Sequence, residues 1–165
     1  MDLVGDFTVP KRRIAADVLL WGTAPRPAEL FVAEHEEQSY RRAGLGELLE
    51  HARPFLPAWD PAEGCAVFIN KSQLVWLATA PEPDEDDDGL VRFEQRQPAC
   101  VELVGGGMLE GDVLYSAPAE RARLSDHLNE ASRYLRLRTA ERLMFVGKSF
   151  VLRAFEARVR GGEAR

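Results

Sequence analysis

Gly147-Lys148-Ser149 is the tripeptide that closes a phosphate-binding loop, where backbone N–H groups and the lysine hold the phosphates of a nucleotide. That chemistry needs a glycine five residues before Gly147 and a helix after the lysine. Arg142 stands at the first position, and Phe150-Val151-Leu152 reads as strand, so neither need is met. The phrase FVGKSFVL (145–152) also has a near-duplicate, FINKSQLV (68–75), in which Asn70 replaces the glycine. Asn and Gly are the residues that accept positive φ, so both phrases read as hairpins with tight reverse turns. Lys71 and Lys148 are then turn lysines, solvated unless a ligand engages them.

Three further groups have the residue types of a chemical site. Asp84-Glu85-Asp86-Asp87-Asp88-Gly89 follows the first half of a calcium loop, but Gln95 stands where the bidentate glutamate belongs, and Pro81 and Pro83 oppose an entering helix. The run reads as a solvated tether, and no metal is expected. His35-Glu36-Glu37-Gln38-Ser39 begins like a zinc-protease helix and ends in a serine that cannot replace the second imidazole. His51 and His127 lack a nucleophile or acid at defined spacing, so no catalytic residue is assigned and the chain is read as non-enzymatic. Cys65 and Cys100 share no ligand spacing with a histidine and read as buried reduced thiols.

Lys11-Arg12-Arg13 precedes a first strand in a way that resembles the arginine-rich entry of PilZ-type β-barrels. The resemblance implies a cyclic-dinucleotide-like ligand held by Arg12 and Arg13, with Lys71 and Lys148 as further cations. The second PilZ signature, a D/N-x-S-x-x-G turn, has no counterpart in its expected place.

The chain of 165 residues carries 45% hydrophobic residues and a net charge of −6. The stretch 81–89 alone holds six acids, and without them 21 acids balance 21 bases. A balanced body offers no general field for nucleic acid or anionic lipid, and no cofactor is implied. No run is long and apolar enough to span a membrane and the start lacks a leader pattern, so the cytoplasm is the expected compartment.

Positioning these residues is the task of a repeated unit. Val18-Leu19-Leu20-Trp21-Gly22 and the strand Glu29 to Val32 align with Val101-Glu102-Leu103-Val104-Gly105 and Asp112 to Tyr115. Leu45-Gly46-Glu47-Leu48-Leu49 aligns with Leu124-Ser125-Asp126-His127-Leu128, and the two lysine phrases close the pattern. Each copy reads as two strands joined at glycine, a helix of about ten residues, and two or three further strands. Ser125 is the expected helix cap, Asp126 meets the positive end of the dipole, and Leu124, Leu128, Ala131 and Leu135 recur on one face. Tyr134-Leu135-Arg136-Leu137-Arg138 alternates as a strand with leucines inward.

The expected fold is mainly β: two homologous ββαββ units, 14–80 and 98–158, joined by an acidic linker and lead-in, 81–97. They are expected to pack as a pseudo-two-fold pair of small barrel-like or sandwich-like sheets. The second copy resembles an uncharacterised bacterial domain family patterned V-x-L-x-x-G, G-x-V, R-L-S-D-x-L-N and K-S. Here the matching residues are Val101, Leu103, Gly106, Gly111, Val113, Arg123 to Asn129, the alternating strand Tyr134 to Leu137, and Lys148-Ser149. That family lends no chemistry. The strand–turn–strand units with one helix are also loosely similar to Sm-like small barrels, which would imply RNA binding or ring assembly, against the charge balance above. The functional expectation is an interaction or adaptor module with a protein partner, met through Arg123, Asp126 and Asn129, which recur every three residues at the helix entry. The first copy lacks Arg123, Ser125 and Asn129, so the second carries the expected surface.

Overall fold

The computed structural model describes residues 11–33, 44–81, 95–121 and 123–157. Alternation builds its first hairpin: β1 (Lys11–Leu20) buries Ala16 and Val18, and β2 (Arg26–Ala33) buries Ala28, Leu30 and Val32. The two pair antiparallel across a turn in which Gly22 takes a φ of 76°. A short helix, α1 (Leu45–Glu50), follows, then β3 (Phe55–Asp60) and β4 (Cys65–Asn70). In the β3–β4 turn Asp60 Oδ1 accepts the N–H groups of Ala62 and Glu63. One 3-10 turn, Lys71–Gln73, leads into β5 (Leu74–Thr79).

The second half has β6 (Gln95–Leu103), β7 (Met108–Tyr115), a 3-10 turn at Ala119–Arg121, and α2 (Leu124–Leu128). β8 (Tyr134–Arg138), β9 (Leu143–Gly147), a 3-10 turn at Lys148–Phe150, and β10 (Val151–Glu156) complete it. β6 therefore starts inside the stretch that reads as lead-in.

The protein is mainly β. The ten strands of the described residues form one antiparallel sheet in the order β10-β6-β7-β8-β9-β5-β1-β2-β3-β4. Two hydrophobic cores lie on it, and the central strands serve both. Leu74 and Leu77 of β5 join Leu143 and Phe145 of β9 in the first core. Val75 and Ala78 join Met144 and Val146 in the second. Strands apolar on both faces are stable only where both faces are covered, which places β5 and β9 in the middle of the sheet.

Several expectations need correction. A two-fold axis brings equivalent strands together, whereas this join sets the fifth strand of the first half against the fourth strand of the second. The two lysine phrases are not hairpins. β4 pairs with β3, and β5 pairs with β1 and β9, so each 3-10 turn carries the chain from one strand to a non-neighbour. Nor is positive φ used there: Asn70 has φ −73° and Gly147 φ −64°. Gly147 is required by crowding instead, since a Cβ on it would stand 2.7 Å from the Leu74 carbonyl oxygen of β5.

The helices are shorter than expected. α2 stops at Leu128 and takes Arg123, not Ser125, as its N-cap residue, with no side-chain cap. Leu135 belongs to β8, where it is buried with Leu137 while Arg136 and Arg138 are half-buried on the other face. Among the described residues no helix is long and apolar enough to cross a membrane.

Candidate functional site

The Asn70 side-chain oxygen accepts the Ser72 N–H at 3.0 Å and so starts the 3-10 turn after β4. That turn directs Lys71 beneath the carboxyl end of α1. Its Nζ donates to the carbonyl oxygens of Leu48 (3.2 Å), Leu49 (3.2 Å) and His51 (2.6 Å), matching three donors to three acceptors. A helix of six residues has most of its carbonyls unpaired, and a buried ammonium satisfies both their hydrogen bonding and the negative end of the dipole. Lys148 repeats the arrangement under α2, donating to His127 O (2.9 Å), Glu130 O (3.4 Å) and Ser132 Oγ (2.8 Å).

Burial draws both lysines below their ordinary pKa. Arg133 adds to this at Lys71, where Glu50 opposes it; Glu130 and Glu50 oppose it at Lys148. The sequence reading of both as solvated turn lysines or ligand contacts is overturned, because their ammonium groups are occupied by helix ends.

Glu50, the last residue of α1, reaches across to the second half. Its carboxylate accepts the N–H groups of Arg133 (2.9 and 3.0 Å) and Tyr134 (3.0 Å) at the start of β8. Tyr134 returns its hydroxyl to the Lys71 carbonyl at 3.3 Å, and burial pushes that phenol up to about 12. The Lys148 N–H donates to Arg133 O at 2.9 Å. The two lysine turns thus converge on Arg133-Tyr134, one from each half.

Between the helices lies a cleft of about 180 Å³ lined in part by Glu50, His127, Glu130, Ser132, Tyr134 and Arg136. The Arg136 guanidinium lies against Gly46, where any Cβ would collide with it, and over the Phe145 ring at 5.5 Å. His127 stacks on Tyr115 with ring centroids 4.8 Å apart, and its Nδ1 is 3.1 Å from Glu130 Oε2. Its Nε2 is buried without a hydrogen-bond partner. Burial lowers the His127 pKa from the ordinary 6.5, the Glu130 hydrogen bond opposing, so the neutral ring is favoured.

The wall carries two carboxylates, Glu50 and Glu130, and one guanidinium, Arg136, with Ser132 Oγ already engaged by Lys148. Its volume is below the roughly 300–1,000 Å³ of ordinary ligand pockets. The cleft can hold a few waters, and the Glu50 carboxylate on its wall orients backbone N–H groups.

The remaining sequence candidates are dispersed. Arg13 stands exposed on β1, paired with Glu29 at 3.1 Å and lying over Phe31 and Trp59, far from acting as a free cation. The side chain of Arg12, the acidic run 84–89 and His35 to Ser39 lie outside the described residues. Arg123, Asp126 and Asn129 are exposed along α2, and the Asn129 amide donates to Ser125 O at 2.7 Å. Cys65 is exposed and Cys100 half-buried, against the expectation of buried thiols: Cys100 falls on an outward-facing position of β6, and Cys65 stands at the first position of β4, at the end of the sheet.

Sequence reasoning missed two features. Glu50 was visible only as an acid at a helix end, with nothing to show that β8 meets it. The other is the apolar surface at the two ends of the sheet: Phe68 of β4 with Phe55 beside it on β3, and Leu152 and Phe155 of β10, all exposed. Alternation in Val67-Phe68-Ile69 could have revealed a strand apolar on both faces. No family model, curated protein or solved structure matches the chain.

Proposed function

We propose that this chain is a non-enzymatic interaction module of the bacterial cytoplasm, built by duplication of one unit of five strands and one helix, that binds a protein through the outer edges of its sheet. The observation that carries the reading is the placement of Phe68, Leu152 and Phe155 on the two strands that end the sheet. Unpaired strand edges are usually protected by charge, proline or a bulge, and an apolar edge is a surface made to be covered.

Duplication is supported by topology and register. The orders β5-β1-β2-β3-β4 and β10-β6-β7-β8-β9 correspond strand for strand. β1 shifts register against β5 between Leu19 and Leu20, and β10 shifts against β6 between Val151 and Arg153, at aligned places. Lys71 and Lys148 hold the ends of α1 and α2 in the same way. The likeness of 101–149 to an uncharacterised bacterial family is part of the same proposal and supplies no chemistry. The non-enzymatic reading is supported by the cleft, whose histidine is held by Tyr115 and Glu130 and whose serine, Ser132, is engaged by Lys148. Arg123, Asp126 and Asn129, exposed along α2, are proposed as further partner contacts.

Capture from a bacterial lysate by the immobilised full chain tests the reading. Phe68→Lys and Leu152→Lys/Phe155→Lys are expected to lose captured protein at least tenfold with melting temperature unchanged. Undiminished capture by both variants would defeat it.

A further inference from the structure

We infer that the chain assembles head to tail with further copies of itself, the edge of β10, unpaired among the described residues, in one copy pairing antiparallel with the likewise unpaired edge of β4 in the next. The inference rests on the interaction reading above and names its partner. Each half of the sheet is ordered fifth, first, second, third, fourth strand. The join inside the chain consumes the fifth strand of the first half, β5, and the fourth of the second, β9. What remains at the two ends is the fourth strand of the first half and the fifth of the second. Each end is therefore the counterpart of one side of a contact the chain already makes, and the two are complementary to each other. A contact between non-equivalent surfaces does not exhaust itself in a pair; it repeats, into a ring or a filament.

The side chains follow the same logic. In the join, Phe145 of β9 leaves the core of its own half and packs in the other, as Val75 and Ala78 of β5 do in the opposite direction. The aligned residues at the ends are Phe68, Leu152 and Phe155, which are 70%, 59% and 45% exposed. Phe55 holds the place of Tyr134, buried at the join. Val104 holds the place of Trp21, which stacks on Phe150 across the halves at 5.9 Å. Seven large apolar residues are exposed among the described residues, and four of them, Phe55, Phe68, Leu152 and Phe155, occupy places whose counterparts are buried at the join. A second copy brings the core that these four lack.

Register follows from the join, where Trp76, Leu77, Ala78 and Thr79 pair with Val146, Phe145, Met144 and Leu143. Between copies the corresponding partners are Arg153 with Ile69, Ala154 with Phe68, Phe155 with Val67, and Glu156 with Ala66. The helices agree. Glu50 accepts two N–H groups, from Arg133 and Tyr134. Its counterpart in α2 is Asn129, facing Pro54 and Phe55 of the next copy. Proline has no N–H, so one amide oxygen answers the single donor left. One corner differs: Gly147 meets the Leu74 carbonyl closely, and Asn70 carries a side chain in its place, so the contact between copies is wider there.

Sedimentation velocity of the purified full chain, with Phe68→Lys, Leu152→Lys/Phe155→Lys and their equimolar mixture, tests this. The wild-type chain is expected at a multiple of its 18.4 kDa mass. Each variant alone should fall to the monomer, because each retains one half of a two-sided contact. The mixture should recover a heterodimer of twice the monomer mass. Circular dichroism of each variant reports whether it has kept the fold; if one has not, Phe68→Ser and Phe155→Ser replace it. A variant that dimerises alone indicates equivalent edges meeting and overturns the head-to-tail arrangement.

A monomeric wild-type chain at every concentration overturns self-assembly. If the edge variants of such a monomer lose melting temperature, a segment of the same chain covers the ends. If they lose captured lysate proteins instead, the partner is another protein and the interaction reading stands alone. If capture is also unchanged, both readings fall together.

Discussion

Lys71 is a charged residue only 6% exposed, and it is stable there because three carbonyl oxygens replace its water. Lys71→Met keeps the stem and removes the donors, leaving buried carbonyls unpaired. Urea unfolding is expected to show a loss of about 2–3 kcal/mol, the range for hydrogen bonds to charged groups together with unsatisfied acceptors. Lys148→Met should cost about 1 kcal/mol, since water can reach the acceptors of that half-buried lysine. His127 sets a pH dependence. Its folded pKa lies below the unfolded 6.5, so below pH 6.5 the unfolded chain binds more protons and stability falls with pH. The contribution is whole above 6.5, declines as pH drops toward the folded pKa, and levels off beneath it. One proton limits the slope to about 1.4 kcal/mol per pH unit. Melting temperatures between pH 8 and pH 5 should decline less in His127→Phe than in the wild-type chain.

At the scale of elements, two helices of six and five residues are far below the length that persists in water. Each is held by its leucines below and a lysine at its carboxyl end, which is why the lysine turns follow the fourth strand in each half. The join is equally specific. Its backbones approach so closely at Gly147 that a methyl group meets the Leu74 carbonyl, a rigid neighbour. Gly147→Ala is expected to cost about 1–3 kcal/mol by overpacking, and hydrogen exchange should quicken first at the amides of 76–79 and 143–146. At Gly46 the obstacle is the Arg136 guanidinium, the far end of a flexible side chain, so Gly46→Ala should cost less than Gly147→Ala in the same assay.

The whole molecule is expected to unfold as one unit, since β5 and β9 give alternate side chains to both cores and neither core closes without the other half. Leu49 is fully buried in the first core, and Leu49→Ala should cost about 2–5 kcal/mol. Calorimetry should show the entire transition displaced to lower temperature as a single peak. Splitting into two transitions, with the second half keeping its original midpoint, would show that the halves fold independently.

Alternation and glycine placement made the strands legible from residues alone: Leu135 and Leu137 inward, Gly22 and Gly105 at turns with positive φ. Periodicity over a few residues is a local property, and local steric preference is enough to express it. The class of fold was readable for that reason. Helix length was not, because Lys71, Lys148 and Glu50 act on groups distant in the chain, and each reads locally as an ordinary surface charge. The lysine phrases looked like hairpins because two neighbouring strands imply a turn, while pairing is decided by which edges have apolar faces to cover. Tertiary structure alone placed β9 beside β5, and so left β4 and β10, with Phe68, Leu152 and Phe155, as the ends of the sheet.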